Sequence, residues 1–193
     1  MNKDERFSID YSLKRNTINI FGVIDTNMAE HVINQLQYLD YKFKEDDVPE
    51  EDRIITIQIN SMGGSVSDGF AIYDTMTYID AKIRTVGLGM VASMAAFLLS
   101  SGTKGLRYAT ENCEILIHQP LGGASGQASD IIIAANHIAQ LRTRINKILA
   151  LNTNQSLKTI IKDTERDTIL IANDAKKYGL IDEVITNKIV KGE

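Results

Sequence analysis

Ser93, His118 and the acidic segment 163–167 are the residues whose types and order could carry out chemistry together. A serine hydroxyl is a poor nucleophile until a histidine accepts its proton, and a carboxylate fixes the tautomer of that histidine. Backbone amides must also hold the oxyanion that forms, and Gly63 with Gly64, ahead of a predicted helix, could supply such an amide nest. Together these parts predict acyl transfer by a serine.

Each of these features also has an ordinary structural interpretation. Ser93 opens an apolar helix after a glycine-containing turn, a position at which serine commonly serves as the N-cap. A single histidine such as His118, at the end of a predicted strand, is more often structural than catalytic. Acidic loop residues are mostly solvated, and a glycine pair equally suits a tight turn between a strand and a helix. From the residues alone, both interpretations stay open.

A glycine motif favours a different activity. Residues 87–92 (GLGMVA) match the fingerprint of a dinucleotide-binding turn. The acidic residue that should meet the ribose at the end of the next strand is missing, because Glu111 and Glu114 both precede that strand. A nucleotide site therefore stays a minor alternative. The three histidines, which include His31 and His137 on predicted helices, are too dispersed to predict a metal site.

Composition and charge narrow the class of protein. A chain of 193 residues with 44% apolar and 24% charged residues predicts one globular domain, and the net charge of −4 argues against a nucleic-acid partner. The lone Cys113 excludes an internal disulfide and is expected to be a small buried side chain. The longest apolar run, residues 86–99, is too short to cross a membrane, and the first ten residues do not resemble a signal peptide. A cytoplasmic location is expected.

Strands and helices must position the candidate residues, and they alternate at short spacing. This alternation predicts an α/β fold with a largely parallel sheet. A charged loop is predicted at residues 42–53, since Pro49 forbids a continuous helix. The predicted strands are 17–21, 55–59, 83–86, 106–108, 115–117 and 180–185, and the predicted helices are 27–39, 65–79, 92–100, about 25 residues from Ser129, 156–162 and 172–178.

The long helix after Ser129 has its own prediction. Its apolar residues form a narrow seam, which suits packing against partner chains as well as against the core of its own chain. The seam residues are Ile131, Ala135, Ile138, Leu141, Ile145 and Ile148.

Five linked motifs resemble those of the Clp protease proteolytic subunit, the ClpP family of caseinolytic serine peptidases. They are residues 60–66 (NSMGGSV), 89–94 (GMVASM), 117–123 (IHQPLGG), 163–167 (DTERD) and 178–182 (YGLID). The resemblance covers about residues 16–185. It implies that Ser93 is the nucleophile, His118 the general base and Asp167 the orienting acid, and that the amides of Gly64 and Met94 form the oxyanion hole.

The resemblance also implies an architecture and partners. The expected fold is a crotonase-like ββα spiral in one domain, residues 1–193, with a head at about 16–121 and 154–193 and a protruding handle helix at about 122–153. Two heptameric rings would stack into a tetradecamer that degrades unfolded polypeptides, fed by an AAA+ Clp unfoldase. No cofactor is expected, because only the partner ATPase uses ATP. Arg166 matches the position that ties the catalytic loop across the ring interface.

Several features depart from the family pattern and leave alternatives open. Thr56 and Gln58 stand where the family tends to have tyrosines that line the ATPase-docking pocket, and the N-terminal pore segment looks short. The chain could be a divergent second paralogue or a phage-type relative. Two other functions remain open: a crotonase-type acyl-CoA enzyme, and a non-catalytic ring subunit that modulates an active paralogue.

Overall fold

The strands and helices that position the candidate residues run through most of the chain. The computed structural model describes residues 12–186, so the N-terminal pore segment and the last residues lie outside the described part. The strands are β1 (Thr17–Ile24), β2 (Ile54–Gly64), β3 (Lys82–Ala92), β4 (Arg107–Thr110), β5 (Glu114–Ile117), β6 (Thr168–Ile171) and β7 (Glu183–Ile185). The helices are α1 (Thr26–Glu45), α2 (Val66–Tyr78), α3 (Met94–Ser100), α4 (Ala128–Thr153), α5 (Leu157–Asp163) and α6 (Ala172–Tyr178), with a short 3-10 turn at Glu50–Asp52.

The described strands form one sheet around β3. Its main path runs β1-β2-β3-β4-β7, and every pairing along this path is parallel. The second half of β3 leaves β4 and pairs with β5, which in turn pairs antiparallel with β6. The prediction of an α/β fold with a largely parallel sheet is confirmed.

The first helix differs from its prediction at both ends. Asp25 is the N-cap and accepts a hydrogen bond from the Met28 amide at 2.9 Å, so the predicted cap at Asn27 is wrong. The helix then continues through the first residues of the predicted charged loop to Glu45. Phe43, which is only 5% exposed, explains this extension, because its burial in the core outweighs the charge of its neighbours.

Two predicted turns are parts of strands. Residues 60–64 extend β2, and residues 87–89 lie inside β3 rather than between a strand and a helix. Both segments stay in the sheet because each has strand neighbours, although Gly63 (φ +92°) and Gly89 (φ +59°) depart locally from extended backbone. Val23 and Ile24 pair with Gly63 and Gly64, while Gly87 pairs with β2 and β4 and residues 90–92 pair with β5. The dinucleotide motif therefore lacks the turn into a helix that a phosphate site requires.

The C-terminal region agrees with its helix predictions and differs in its strands. Helix α6 has its predicted bounds, and Gly179 ends it in the left-handed region with φ +97°. Earlier in the chain, the start of α2 also agrees with its prediction, since Ser65 is the N-cap and accepts a hydrogen bond from the Asp68 amide at 3.3 Å. Strand β6 was not predicted, and β7 is limited to Glu183–Ile185. Leu180 and Ile181, predicted to open this strand, are buried in the core instead.

Buried polar contacts join the sheet to the ends of two helices. Arg107 of β4 is 4% exposed, and its guanidinium contacts Asp182 at 2.5 Å. The same group donates to the carbonyls of Ser100 and Asn152, near the ends of α3 and α4. Burial alone would raise the pKa of Asp182, but the hydrogen bonds and charge of Arg107 more than offset this, so its pKa is lowered. The ion pair therefore stays charged at neutral pH and fixes the position of α3.

The long helix α4 packs on the core through only part of its length. Its 26 residues include four buried ones, and all four lie in the C-terminal half. Ile131, Ile132 and Ile133 near its start are 42%, 61% and 66% exposed. One chain thus leaves an apolar surface uncovered at this end of the helix.

Two further sequence expectations concern single features. Cys113 is 1% exposed, and burial raises the pKa of its thiol to about 11, which makes it the inert, small buried side chain that was expected. Across residues 12–186, every helix is too short or too polar to span a bilayer.

Candidate active site

Ser93 lies between the end of β3 and the start of α3. Its backbone has φ +57° and ψ −123°, a conformation that non-glycine residues rarely adopt, and its amide donates to the Leu116 carbonyl at 2.8 Å. It occupies the N-cap position of α3, but its side chain makes no capping hydrogen bond. The Ser93 hydroxyl therefore does not cap the helix and is available for another role.

His118 directly follows β5 and lies beside Asp167, which directly precedes β6. The antiparallel register pairs Ile117 with Thr168, so the two residues that flank this pair meet at the end of the ladder. The imidazole Nδ1 and the Asp167 Oδ1 are 3.0 Å apart. An ionised carboxylate only accepts hydrogen bonds, so Nδ1 is the donor in this contact; in the neutral imidazole, this tautomer leaves the lone pair on Nε2.

Ser93 and His118 line the same cavity. The volume of this cavity is about 20 Å³, room for roughly one water molecule. Within the described chain, the Ser93 hydroxyl and the imidazole make no hydrogen bond to each other; such contacts often tighten only when substrate binds. The other lining residues are mostly apolar: Val66, Met94, Phe97, Ile117, Pro120, Ile145 and Leu149.

The glycine pair at the end of β2 packs directly against the start of α3. Gly63 has φ +92°, and a Cβ added to it would lie 2.8 Å from the Ser93 Cβ and 3.0 Å from the Met94 nitrogen. A Cβ added to Gly64 would lie 2.1 Å from the Ile24 carbonyl oxygen. The glycines thus fit between β1 and the helix start, where the first amides of α3 have no partner within the helix.

We expect Gly63→Ala to impair the site more than it impairs the fold. Alanine at φ +92° is strained by about 1 to 3 kcal/mol, and its methyl group must displace Ser93 or Met94. Gly105→Ala is the matched control, because Gly105 has φ +86° with nothing within 4 Å of an added Cβ. Thermal unfolding should show a lower Tm for both variants, whereas only Gly63→Ala should lose at least tenfold in the peptidase activity that the resemblance implies. Equal activity in the two variants would contradict this prediction.

The acidic loop is attached to the long helix inside one chain. Glu165 pairs with Arg142 of α4 at 2.5 Å, and its backbone carbonyl accepts from the Gln119 carboxamide at 3.0 Å. Arg166 is exposed and makes no ion pair with another residue among 12–186. Sequence reasoning singled out Arg166 and missed Arg142, Glu165 and Gln119 as contacts. The only sequence signal for Gln119 was its place next to His118.

The two docking candidates lie away from this site. Thr56 and Gln58 are half-buried on the first half of β2, whereas Gly64 ends that strand. Their pairing neighbours are Thr17 and Arg84 for Thr56, and Asn19 and Val86 for Gln58. The face of the sheet that carries these two side chains is therefore largely polar here.

Comparison with known families identifies the chain. A family model for Clp protease matches residues 2–188. The chain belongs to the Clp protease family. Its fold is accordingly the mixed α/β fold of ClpP, and the family consists of serine peptidases. Among residues 12–186, no group of three or more His, Cys, Asp or Glu side chains could hold a metal ion.

Proposed function

We propose that this chain is the proteolytic subunit of an ATP-dependent Clp protease, a serine endopeptidase that cleaves unfolded polypeptides inside a closed chamber. Ser93 is the nucleophile, His118 the general base and Asp167 the acid that orients it. The observation that carries the proposal is the 3.0 Å contact between His118 and Asp167, at a cavity that Ser93 also lines. The uncapped hydroxyl of Ser93 supports it.

The proposed reaction follows from this arrangement. Nε2 of His118 takes the proton of Ser93 as Oγ attacks the scissile carbonyl, and the amides of Gly64 and Met94 hold the oxyanion. The imidazolium then gives its proton to the leaving amine, which departs and leaves an acyl-enzyme. A water molecule, deprotonated by the same histidine, attacks the ester and releases the acid and free Ser93. Asp167 holds the histidine tautomer and stabilises its charge throughout.

The cavity supports a preference for apolar side chains on the acyl side of the cleaved bond. Its apolar lining would leave a charged side chain without a partner. The enclosed volume of about 20 Å³ is small, so we expect lining residues to shift when a side chain as large as leucine binds. Met94 is suited to this shift because its unbranched side chain adapts to new neighbours.

Hydrolysis of fluorogenic peptides by the purified full chain tests the proposed function. A peptide with leucine before the cleaved bond should be hydrolysed faster than one with aspartate, with the chain alone or mixed with a ClpP paralogue. No hydrolysis in either preparation would contradict the proposal. Turnover of an acyl-CoA that survives Ser93→Ala would point instead to a crotonase-type enzyme.

The proposed assembly is a tetradecamer of two stacked heptameric rings, homomeric or mixed with a paralogue, in the cytoplasm. The exposed apolar start of α4 supports it, since one chain leaves Ile132 and Ile133 largely uncovered. No cofactor is needed by the proposed chemistry, and ATP serves only the AAA+ partner. In this assembly Arg166 would brace the Asp167 loop against a neighbouring chain.

Sedimentation should show a species many times larger than the 21.4 kDa subunit at micromolar concentration. Ile132→Glu combined with Ile133→Glu should lower the sedimenting mass, because two buried carboxylates oppose association. His137→Glu, an exposed polar position on the same helix, is the control and should assemble normally. Arg166→Ala should weaken assembly and activity together. A wild-type chain that sediments only as a monomer would contradict the prediction.

A further inference from the structure

The side chain of Asp167 makes few contacts that could hold its carboxylate in place. The side chain is 66% exposed, and the hydrogen bond to His118 is its only one among the described residues. An exposed side chain with one partner loses little by rotating into water. The position of this carboxylate must therefore come from the backbone of its loop.

Several contacts fix the loop. The buried Thr164 hydroxyl donates to the Ile160 carbonyl at 2.7 Å, and the Thr168 hydroxyl donates to the Asp163 carbonyl at 2.7 Å. Two further attachments join the loop to the segment that carries His118. On one side, the β5 and β6 ladder pairs Ile117 with Thr168. On the other side, Gln119 makes two hydrogen bonds to successive carbonyls of the loop. Its backbone amide donates to Thr164 at 2.7 Å, and its carboxamide Nε2 donates to Glu165 at 3.0 Å.

We propose that Gln119 is a positioning residue for the peptidase reaction: its carboxamide holds the loop so that Asp167 stays aligned with His118. This inference rests on the proposed function, because it assigns Gln119 a role only through Asp167. Gln119 directly follows His118 in the chain, so its carboxamide attaches the acid to the same backbone segment that carries the base. Any shift of the loop relative to the imidazole must break this hydrogen bond.

The ion pair between Arg142 and the loop is weaker support. Arg142 pairs with Glu165, but the two side chains are 31% and 54% exposed. Exposed ion pairs contribute little and are screened by salt. Arg142 also contacts only the end of the flexible Glu165 side chain, whereas Gln119 bonds to the Glu165 backbone, two residues before Asp167. Of these two side-chain contacts, the carboxamide of Gln119 is therefore the one that acts directly on the backbone next to Asp167.

The test uses two variants that remove the carboxamide donor and one matched control. Gln119→Ala deletes the side chain, and Gln119→Glu keeps its shape but presents only acceptors at neutral pH. The control is Gln155→Ala: Gln155 is equally half-buried, and its Nε2 also donates to a backbone carbonyl at 3.0 Å, that of Tyr178. The readouts are kcat and KM for a fluorogenic peptide, with sedimentation to confirm that each full chain assembles as the wild type does.

We expect both Gln119 variants to lower kcat about tenfold and to leave KM within about twofold, because misalignment of a catalytic group slows the chemical step. Gln155→Ala should keep kcat within about twofold. In an Asp167→Ala background, Gln119→Ala should cause less than about a twofold further loss, since residues that act as a unit are not additive. If Gln119 only stabilised the fold, Gln119→Ala would instead lower kcat by the same factor in both backgrounds.

Three results would overturn the inference but not the proposed function. They are a loss of kcat below about threefold in both Gln119 variants, an equal loss of kcat in Gln155→Ala, or an undiminished loss of kcat when Gln119→Ala is added to Asp167→Ala. A different result would overturn the proposed function. If Asp167→Ala itself left kcat unchanged, the acid would have no catalytic role, and the inference would fail with it.

Discussion

Ser93→Ala is expected to abolish peptide hydrolysis, with a loss of roughly 10⁶-fold in kcat. The reason is that the proposed reaction has no other nucleophile: His118 can take a proton, but only the Ser93 hydroxyl shares its cavity. A fluorophosphonate should add once to each wild-type subunit, and mass spectrometry should find no adduct on Ser93→Ala. His118→Ala should cost nearly as much activity, because members of a triad act as a unit.

The control for this prediction is a serine at the opposite end of the same helix. Ser101 is the C-cap of α3, and its hydroxyl donates to the Phe97 carbonyl at 2.7 Å. Ser101→Ala should still form the adduct and hydrolyse peptide. An assembled wild-type chain that stays unlabelled would contradict the catalytic role of Ser93 and would favour the non-catalytic ring subunit.

The elements that could be predicted from the sequence are those defined by local signals. Ser65 with Asp68 predicts the start of α2, and Gly179 predicts the end of α6, because a cap acts within a few residues of itself. The start of α1 was misplaced since Asp25 and Asn27 are equally good caps. Local chemistry does not choose between them.

The elements that could not be predicted depend on distant partners. Residues 87–89 read as a turn because they contain two glycines, yet they lie within a strand because Gly87 pairs with β2 and β4 and residues 90–92 pair with β5. Strand β6 has only four residues, alternately half-buried and exposed, and exists through its pairing with β5 about 50 residues earlier in the chain. No periodicity in the sequence reports such pairings.

The candidate site was likewise predicted only in those parts that local signals define. Residue types and order suggested Ser93, His118 and an acid, but did not select Asp167 from the other acidic residues of its loop. The resemblance to the Clp protease family made that choice. In the structure, the register of β5 and β6 supplies the physical reason, because it places Asp167 rather than Asp163 or Glu165 beside the imidazole.

The surface around Thr56 and Gln58 is largely polar. Members of the family receive an aliphatic loop from the AAA+ partner in an apolar pocket, to which Thr56 and Gln58 would contribute here. Both are half-buried, and their strand neighbours other than Val86 are polar. The Oδ1 of Asn19, next to Gln58, is buried without a hydrogen-bond partner among the described residues. An apolar loop placed there would desolvate further polar groups, which opposes binding.

We therefore expect weak or absent activation of a homomeric ring by a conventional Clp ATPase. The absence of two aromatic contacts costs on the order of 2 to 4 kcal/mol, or roughly 30- to 1000-fold in affinity at each docking site before avidity multiplies it. Thr56→Tyr combined with Gln58→Tyr should restore ATP-dependent degradation of a folded, tagged substrate, as should mixing with a tyrosine-bearing paralogue. Glu30→Tyr combined with Asn34→Tyr is the control, since it adds two tyrosines to exposed positions of α1 and should restore nothing. Degradation of the folded substrate by the unmodified homomeric ring, at ordinary ATPase concentrations, would show that Thr56 and Gln58 do not limit docking.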